Sequence, residues 1–364
     1  MPITIGPGWN MGAGWTASSS ASLGFSTPAL MNNSSAYAYM KSIAVNSAGK
    51  FVAVGYGASP TYYPLYAIST DGSTWTTPAT MNGSSVYAIM NSVAVNSAGL
   101  FVAVGSGSAG APMYATSTDG STWTTPATMN GSSAAAYMTA VAVNSAGLFV
   151  AVGRNALFYP VYATSTDGST WTTPALMNGS SVAAWLYGVT VNSAGLFVAV
   201  GYDNTTNQYP VYATSTDGST WTTPALMNGS TSVAQMFGVT VNSAGLFVAV
   251  GIGSGAAPLY ATSTNGSTWT TPARINGSTT PAYFYSVAVN SAGLFVAVGS
   301  LSTGGGPLYA TSTNGSTWTT PALMNASFDA FLIQRAVAVN SSGLFVAVGY
   351  NVSTYPVYAV STIS

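Results

Sequence analysis

The chain has 364 residues, 48% of them apolar and 12% aromatic but only 3% charged, for a net charge of −1. Five Lys and Arg cannot form the clustered basic surface that a phosphate backbone requires, so nucleic acid is not an expected partner, and no apolar run approaches the roughly 18 residues of a membrane span, so membrane insertion is not expected either. Cys and His are both absent, which removes disulfides, thiolate chemistry and the commonest metal ligands, and neither a metal nor another cofactor is expected.

At the start, Met1-Pro-Ile-Thr-Ile-Gly-Pro-Gly8 has neither the basic start nor the apolar run of a secretory signal. The stretch Gly6-Pro-Gly-Trp-Asn-Met-Gly-Ala-Gly-Trp15 matches nothing later in the chain. It is expected to form an arm over residues 1–20, either capping one face of the domain or anchoring it to a larger assembly. From residue 21 onward the chain is repetitive. Phe25-Ser-Thr-Pro-Ala-Leu-Met-Asn32 aligns with Trp75-Thr-Thr-Pro-Ala-Thr-Met-Asn82, and Val45-Asn-Ser-Ala-Gly-Lys-Phe-Val-Ala-Val-Gly55 recurs from Val95, Val143, Val191, Val241, Val289 and Val339. The turn Ser69-Thr-Asp-Gly-Ser-Thr-Trp75 recurs only five more times, and the missing copy belongs after Ser361.

The turn tryptophans Trp75, Trp123, Trp171, Trp221, Trp269 and Trp318 are spaced by 48, 48, 50, 48 and 49 residues, a period that fits four-stranded propeller blades. Within one unit, Ser92–Asn96 and Leu100–Gly105 are short β-branched runs parted by Ser-Ala-Gly, and Met113–Ser117 and Thr122–Thr125 flank an Asp-Gly turn. Four strands per unit, A to D, make residues 21–364 an all-β, seven-bladed propeller of antiparallel blades. Blades one to six begin at Met40, Asn91, Thr139, Tyr187, Phe237 and Tyr285. Blade seven has A, B and C between Arg335 and Thr362, and its outer strand D comes from about residues 21–28. Closure by the two chain ends removes both exposed sheet edges.

Ser-Thr-Asp-Gly-Ser-Thr-Trp resembles the Asp-box, or BNR repeat, of bacterial sialidases and related propellers. The resemblance implies that Asp71, Asp119, Asp167 and Asp217, with Asn265 and Asn314 in their place in blades five and six, are structural acceptors for backbone N–H groups. It also implies that the six tryptophans pack into the blades. The repeat is further similar to degenerate bacterial propeller repeats of surface proteins and photosystem assembly factors. A sialidase would need an arginine triad, an Asp acid/base and a Tyr activated by a Glu. Arg154, Arg274 and Arg335 are present with Asp203 and Asp329, but there is no Glu, and Ala273-Arg-Ile-Asn276 departs from the Phe-Arg-Ile-Pro motif. Catalysis is not expected.

Comparison of the copies shows what has diverged. The A–B loops and C–D turns are nearly uniform, whereas the B–C loops and D–A connections, which emerge together on the opposite face, vary and are rich in Tyr, Phe and Trp. Exposed rings among Asn, Ser and Thr suit a glycan or a protein receptor, although many of these rings could equally cap the blades. Lys41, Asn91, Thr139, Tyr187, Phe237, Tyr285 and Arg335 occupy one repeat position, just before the innermost strand, which a ring would gather around the mouth of its channel. Lys41 and Arg335 become neighbours there. The ligand-binding residues expected on this face are Lys41, Asn91, Arg154, Trp185, Tyr187, Asp203, Tyr285 and Arg335. Asn82, Asn130, Asn178, Asn228, Asn276 and Asn204 match the glycosylation acceptor pattern, which is read here as loop chemistry. These features fit a non-catalytic adhesion propeller, extracellular or on a virion surface such as a phage tail or head, without a standard signal peptide, whose partner is a glycan or a cell-surface receptor. The alternative is a decoration or assembly scaffold whose partners are virion proteins.

Overall fold

The computed structural model describes residues 23–57, 62–132, 134–180, 182–303, 305–326 and 332–363. The arm expected over residues 1–20, Asp329 and Phe331 lie outside the described residues. Seven antiparallel sheets follow one another around a ring. Their inner strands A are Ala38–Val45, Ala88–Val95, Ala136–Val143, Ala184–Val191, Ala234–Val241, Ala282–Val289 and Ile333–Val339. In blade one, strands B, C and D are Phe51–Gly57, Pro64–Ser69 and Ala79–Thr80. The other blades run over 88–128, 136–176, 184–226, 234–274, 282–323 and 333–363. Between blades, the chain makes short 3-10 turns at Met-Asn-Gly or a close variant of it (Met31-Asn-Asn, Ile275-Asn-Gly, Met324-Asn-Ala), with the central Asn in the left-handed region, and no α-helix occurs among the described residues.

The Phe-Val-Ala-Val run of strand B is continuous rather than alternating because both of its faces are buried. Phe51 and Ala53 pack against Val346 and Val348 of blade seven, whereas Val52 and Val54 face Phe101 and Ala103 of blade two. Each of the six turn tryptophans is only 3% exposed. Its ring packs on the strand-C Tyr of the preceding blade, as in Tyr66–Trp123 and Tyr358–Trp75, with centroids 6.0 and 6.1 Å apart. Burying an indole contributes at most about 5 kcal/mol, so six of them carry a large share of the packing between blades.

Strand D is shorter than the sequence implies. It was expected at Thr122–Thr125 in blade two but consists of Ala127–Thr128. Thr124 donates its N–H to the Thr116 carbonyl at 2.9 Å, but the returning Thr116 N–H goes to the Thr124 hydroxyl instead of its carbonyl. Pro126 then has no N–H to offer, so regular pairing resumes only after it.

Blade seven closes as expected. Leu23–Phe25 pairs with Ser361–Ile363, and Ala29–Leu30 pairs with Val357–Tyr358. Ser26 reproduces the threonine device, donating its N–H to Val360 and accepting from the Val360 N–H through its hydroxyl. Phe25 stands where the other blades have Trp and packs on Tyr309 with centroids 5.2 Å apart. A belt of carboxamide-to-hydroxyl bonds runs around the outer edge, from Asn32 to Thr77 and on through Asn82, Asn130, Asn178, Asn228 and Asn276, and Asn325 closes it on Thr27. Five of the six acceptor-pattern asparagines are therefore tied between blades.

Candidate functional site

Every strand A carries a β-bulge at the same place. In blade one, Met40 pairs with Gly55 and Ser42 with Val54, which leaves Lys41 unpaired between them. The equivalent extra residues are Asn91, Thr139, Tyr187, Phe237, Tyr285 and Arg335. The seven residues expected before the innermost strand thus lie inside it. A bulge lets one strand carry an extra residue and redirect its side chain, and here it aims all seven at the ring axis.

The glycine ending each Phe-Val-Ala-Val-Gly run sits opposite the bulge. A Cβ at Gly201 would overlap the Trp185 carbonyl oxygen, and the same holds at Gly55 against Tyr39. The residues after the bulge are all small: Ser42, Ser92, Ala140, Gly188, Gly238, Ser286 and Ala336. A Cβ at Gly238 would press on the backbone of Tyr285 and Ser286. The blades converge there, and the Ser42, Ser92 and Ser286 hydroxyls accept the Val93, Val141 and Val337 N–H groups across the gap at 3.2–3.3 Å.

Above this throat the seven bulge residues and Tyr283 enclose a cavity of ≈ 350 Å³, within the size range of small-molecule sites. Its wall has three chemically different sectors. Blades seven and one supply Arg335 and Lys41. The Arg335 guanidinium lies 4.3 Å from the Tyr285 ring centroid and donates to the Tyr350 hydroxyl at 2.8 Å. Burial, and then the charge of Arg335, lower the Lys41 ammonium to about 8. Blades two and three supply Asn91, whose amide nitrogen donates to the Met138 carbonyl at 2.9 Å, and Thr139, whose one hydroxyl proton lies between the main-chain carbonyls of Val152 and Leu186. Blades four to six supply Tyr187, Phe237 and Tyr285, half-buried rings with consecutive centroids 5.5 and 5.7 Å apart.

The rings continue beyond the mouth. Tyr187 stacks on Tyr202 at 5.5 Å, Tyr202 lies 5.6 Å from Trp185, and Trp185 stacks on Phe158 at 5.5 Å. Burial keeps the Tyr187 phenol well above its ordinary value. Arg154 sits among Tyr137, Trp185 and Phe158, with its guanidinium carbon 4.3–4.7 Å from each ring. On the other side of Arg335, Tyr350, Tyr39, Tyr56, Tyr62 and Tyr87 succeed one another at 4.8–5.5 Å. An arc of aromatic side chains, linked by two guanidinium groups, therefore crosses the variable face.

Of the eight ligand-binding residues expected from sequence, Lys41, Asn91, Tyr187, Tyr285 and Arg335 line the one cavity, and Trp185 and Arg154 extend it along the arc. Asp203 does not join them. It is 8% exposed and holds its own loop, accepting the Tyr209 N–H at 2.6 Å and the Thr205 hydroxyl at 3.0 Å. Tyr202, one of the rings where strand B meets the variable B–C loop, is not exposed but buried at the end of strand B. Thr139 and Phe237 share the bulge position but were not singled out as binding residues. Neither were Tyr283, nor Tyr350, which orients Arg335. The bulge glycines were legible only as strand ends.

The three arginines do not converge: Arg154 lies on the rim, Arg335 in the mouth, and Arg274 on the outer strand of blade five, where it donates to the Ser278 carbonyl. The Asp-box residues stay on the uniform face. Asp71 Oδ1 accepts the Ser73 and Thr74 N–H groups at 2.7 and 2.6 Å, and the Thr74 bond foremost holds its carboxyl well below the usual range. Asp119, Asp167 and Asp217 repeat this geometry. Asn265 and Asn314 accept the same pair of N–H groups through their amide oxygens. Each tryptophan closes the turn by donating its indole N–H to the Gly carbonyl three residues back, as Trp171 does to Gly168 at 2.9 Å.

The BNR repeat-like domain family matches residues 51–234. No curated protein matches the chain in sequence. Among solved structures, the chain is similar to the BP39L lectin from Burkholderia pseudomallei, with 12% identity, a TM-score of 0.69, and 90% of this chain and 97% of that one covered. It is similar to YCF48 from Cyanidioschyzon merolae, with 14% identity, a TM-score of 0.60 and coverage of 89% and 96%. The Hadza microbial sialidase Hz136 shares 16% identity at a TM-score of 0.50, with 89% of this chain and 65% of that one covered. At these identities the likeness is one of fold.

Proposed function

This chain belongs to the BNR repeat-like domain family, and we propose that it is a non-catalytic propeller that binds glycans through its variable face and is displayed outside a cell or on a particle surface. The observation that carries this reading is the convergence of the seven bulge residues on one cavity continuous with the aromatic arc. Half-buried rings offer flat apolar surfaces for the C–H faces of sugars, while fixed amide and hydroxyl groups between them can meet hydroxyls. Most glycoside hydrolases need two carboxyl groups flanking the bond to be broken, a sialidase needs a Glu to activate its Tyr, and the chain has no Glu. Asp203, the described acid outside the repeat turns, is occupied within its own loop. The lectin similarity agrees with the reading but carries none of it.

The test is an array of bacterial, algal and animal-surface glycans probed with the whole chain and with Trp185→Ala. Binding of a glycan class that is weakened about ten-fold by the substitution supports the reading. An array with no bound glycan, or binding indifferent to Trp185, overturns it.

A further inference from the structure

We propose that the channel mouth is a site for a single carboxylate-bearing sugar residue, held by Lys41 and Arg335 at its acidic edge, by Asn91 and Thr139 at its hydroxyls, and by the aromatic wall across its apolar face. The proposal rests on the glycan-binding reading and narrows it to one ligand class.

The three sectors demand three complementary features in one small ligand. Lys41 and Arg335 can only donate, and their bulges set two positive charges side by side at blades one and seven. Such a pair repels: after burial, the charge of Arg335 is the second cause that lowers Lys41, and an anion seated between them relieves the repulsion. Arg335 is held in place before any ligand arrives, by the Tyr285 ring on one side and the Tyr350 hydroxyl on the other. Thr139 has committed its hydroxyl proton and Asn91 one of its two amide N–H groups to main-chain carbonyls, so what they offer a ligand is mostly acceptors, the Asn91 amide oxygen and the remaining lone pairs of the Thr139 hydroxyl, beside one further Asn91 N–H. That sector therefore asks for hydroxyl donors. The wall of Tyr187, Phe237 and Tyr285 asks for an apolar face.

A carboxylic acid without hydroxyls leaves the second sector unmet, and a neutral sugar leaves the first unmet. An aromatic acid satisfies the first and third but brings no donors. A pyranose bearing a carboxylate satisfies all three within ≈ 350 Å³.

Two sources share this chemistry, hexuronate residues of acidic polysaccharides and sialate termini. Trp185, 5.9 Å from Tyr187, supplies a fluorescence readout. The whole chain is titrated with a galacturonate oligosaccharide, with the same oligosaccharide after carboxyl reduction, with sialyllactose and with lactose. An acidic member of either pair should bind at least about ten-fold tighter than its uncharged counterpart, and Arg335→Gln and Lys41→Gln should each remove most of that difference. Thermal unfolding checks that the variants fold, and the two sit on different blades. Which acidic probe binds identifies the source.

Equal binding within both pairs, or acidic binding indifferent to both substitutions, overturns the proposal and leaves the glycan reading standing. So does binding of neutral array glycans with neither acidic probe bound. Absence of binding to the array and to every probe overturns both.

Discussion

Replacing Phe25 by Trp would give blade seven the residue that the other six blades carry, and a repeat-consensus argument expects a gain in stability. The local geometry implies a loss. Each repeat Trp spends its indole N–H on a turn carbonyl at 2.9–3.0 Å. Leu23–Phe25 is instead an extended strand paired with Ser361–Ile363. A strand rising about 3.3 Å per residue leads the chain away from the ring, whereas the Gly turn curls its carbonyl back beneath the indole. An indole at this position adds about 40 Å² of apolar area, contributing about 1 kcal/mol. Its unpartnered N–H costs about 1–3 kcal/mol, and forcing it into a site where Phe25 is 3% exposed costs about 1–3 kcal/mol more. The net expectation is destabilisation by about 1–3 kcal/mol. Phe25→Ala, which empties the site, should cost about 3–5 kcal/mol, and Trp171→Phe, which gives up both the turn bond and the extra buried ring area, about 2–4 kcal/mol. Urea unfolding followed by circular dichroism ranks the three. A Phe25→Trp variant more stable than the parent would refute the reasoning, because the indole would then have found an acceptor.

The bulge makes a second prediction. Gly201→Ala forces its Cβ against the Trp185 carbonyl oxygen, so the bulge must shift, and glycan affinity should fall with Tyr187 displaced, whereas Gly195→Ala, in the A–B turn on the opposite face, should lower stability because its φ of 86° suits only glycine but leave affinity unchanged. Parallel binding and unfolding curves check both. The turn acids make a third. Asp71→Asn should be neutral to within about 0.5 kcal/mol, since Asn265 and Asn314 make the same bonds, while Asp71→Ala should cost about 0.5–2 kcal/mol. Because the folded-state values of the four turn carboxyls are depressed, their stabilisation is present above the unfolded value of about 3.9 and lost as pH falls through the lower folded values. Acid unfolding curves of the parent and Asp71→Asn should differ in that window. The fourth concerns pH and the mouth. Lys41 is charged below about 8 and neutral above it, so affinity for an acidic sugar should be full below about 7 and decline as pH rises through about 8. Tyr56, pushed up to about 12, stays neutral throughout. Lys41→Arg should abolish the decline, which affinity measured from pH 6 to 10 decides.

Much of the fold was written in the repeat. The seven Phe-Val-Ala-Val runs against six turns, four Asp-Gly and two Asn-Gly, required a closed ring with one split blade, and Phe25-Ser-Thr-Pro named the strand that completes it. The shortened strand D was not legible, because a threonine hydroxyl replacing a carbonyl as acceptor leaves no periodic trace; only Pro126 hinted at it. The mouth was legible as a variable position between uniform ones, and the pairing of Lys41 with Arg335 followed from ring closure. Its location inside strand A was not, since a bulge shows in sequence only as the glycine opposite it, and glycine also ends strands. Asp203 was singled out for its charge, but a carboxylate next to Asn-Thr-Thr in a loop is as readily an acceptor for that loop's own N–H and hydroxyl groups. Which rings would be exposed depended on burial that alternation alone does not set, as Tyr202 shows.

The central claim is that binding occurs at the bulge-built mouth and along its arc. A crystal structure of the chain with its tightest array glycan tests it most directly. The account predicts a sugar ring over Tyr187 and Phe237 with an acidic group between Lys41 and Arg335; a glycan bound at the outer edge or on the Asp-box face, with the mouth holding only water, would contradict it.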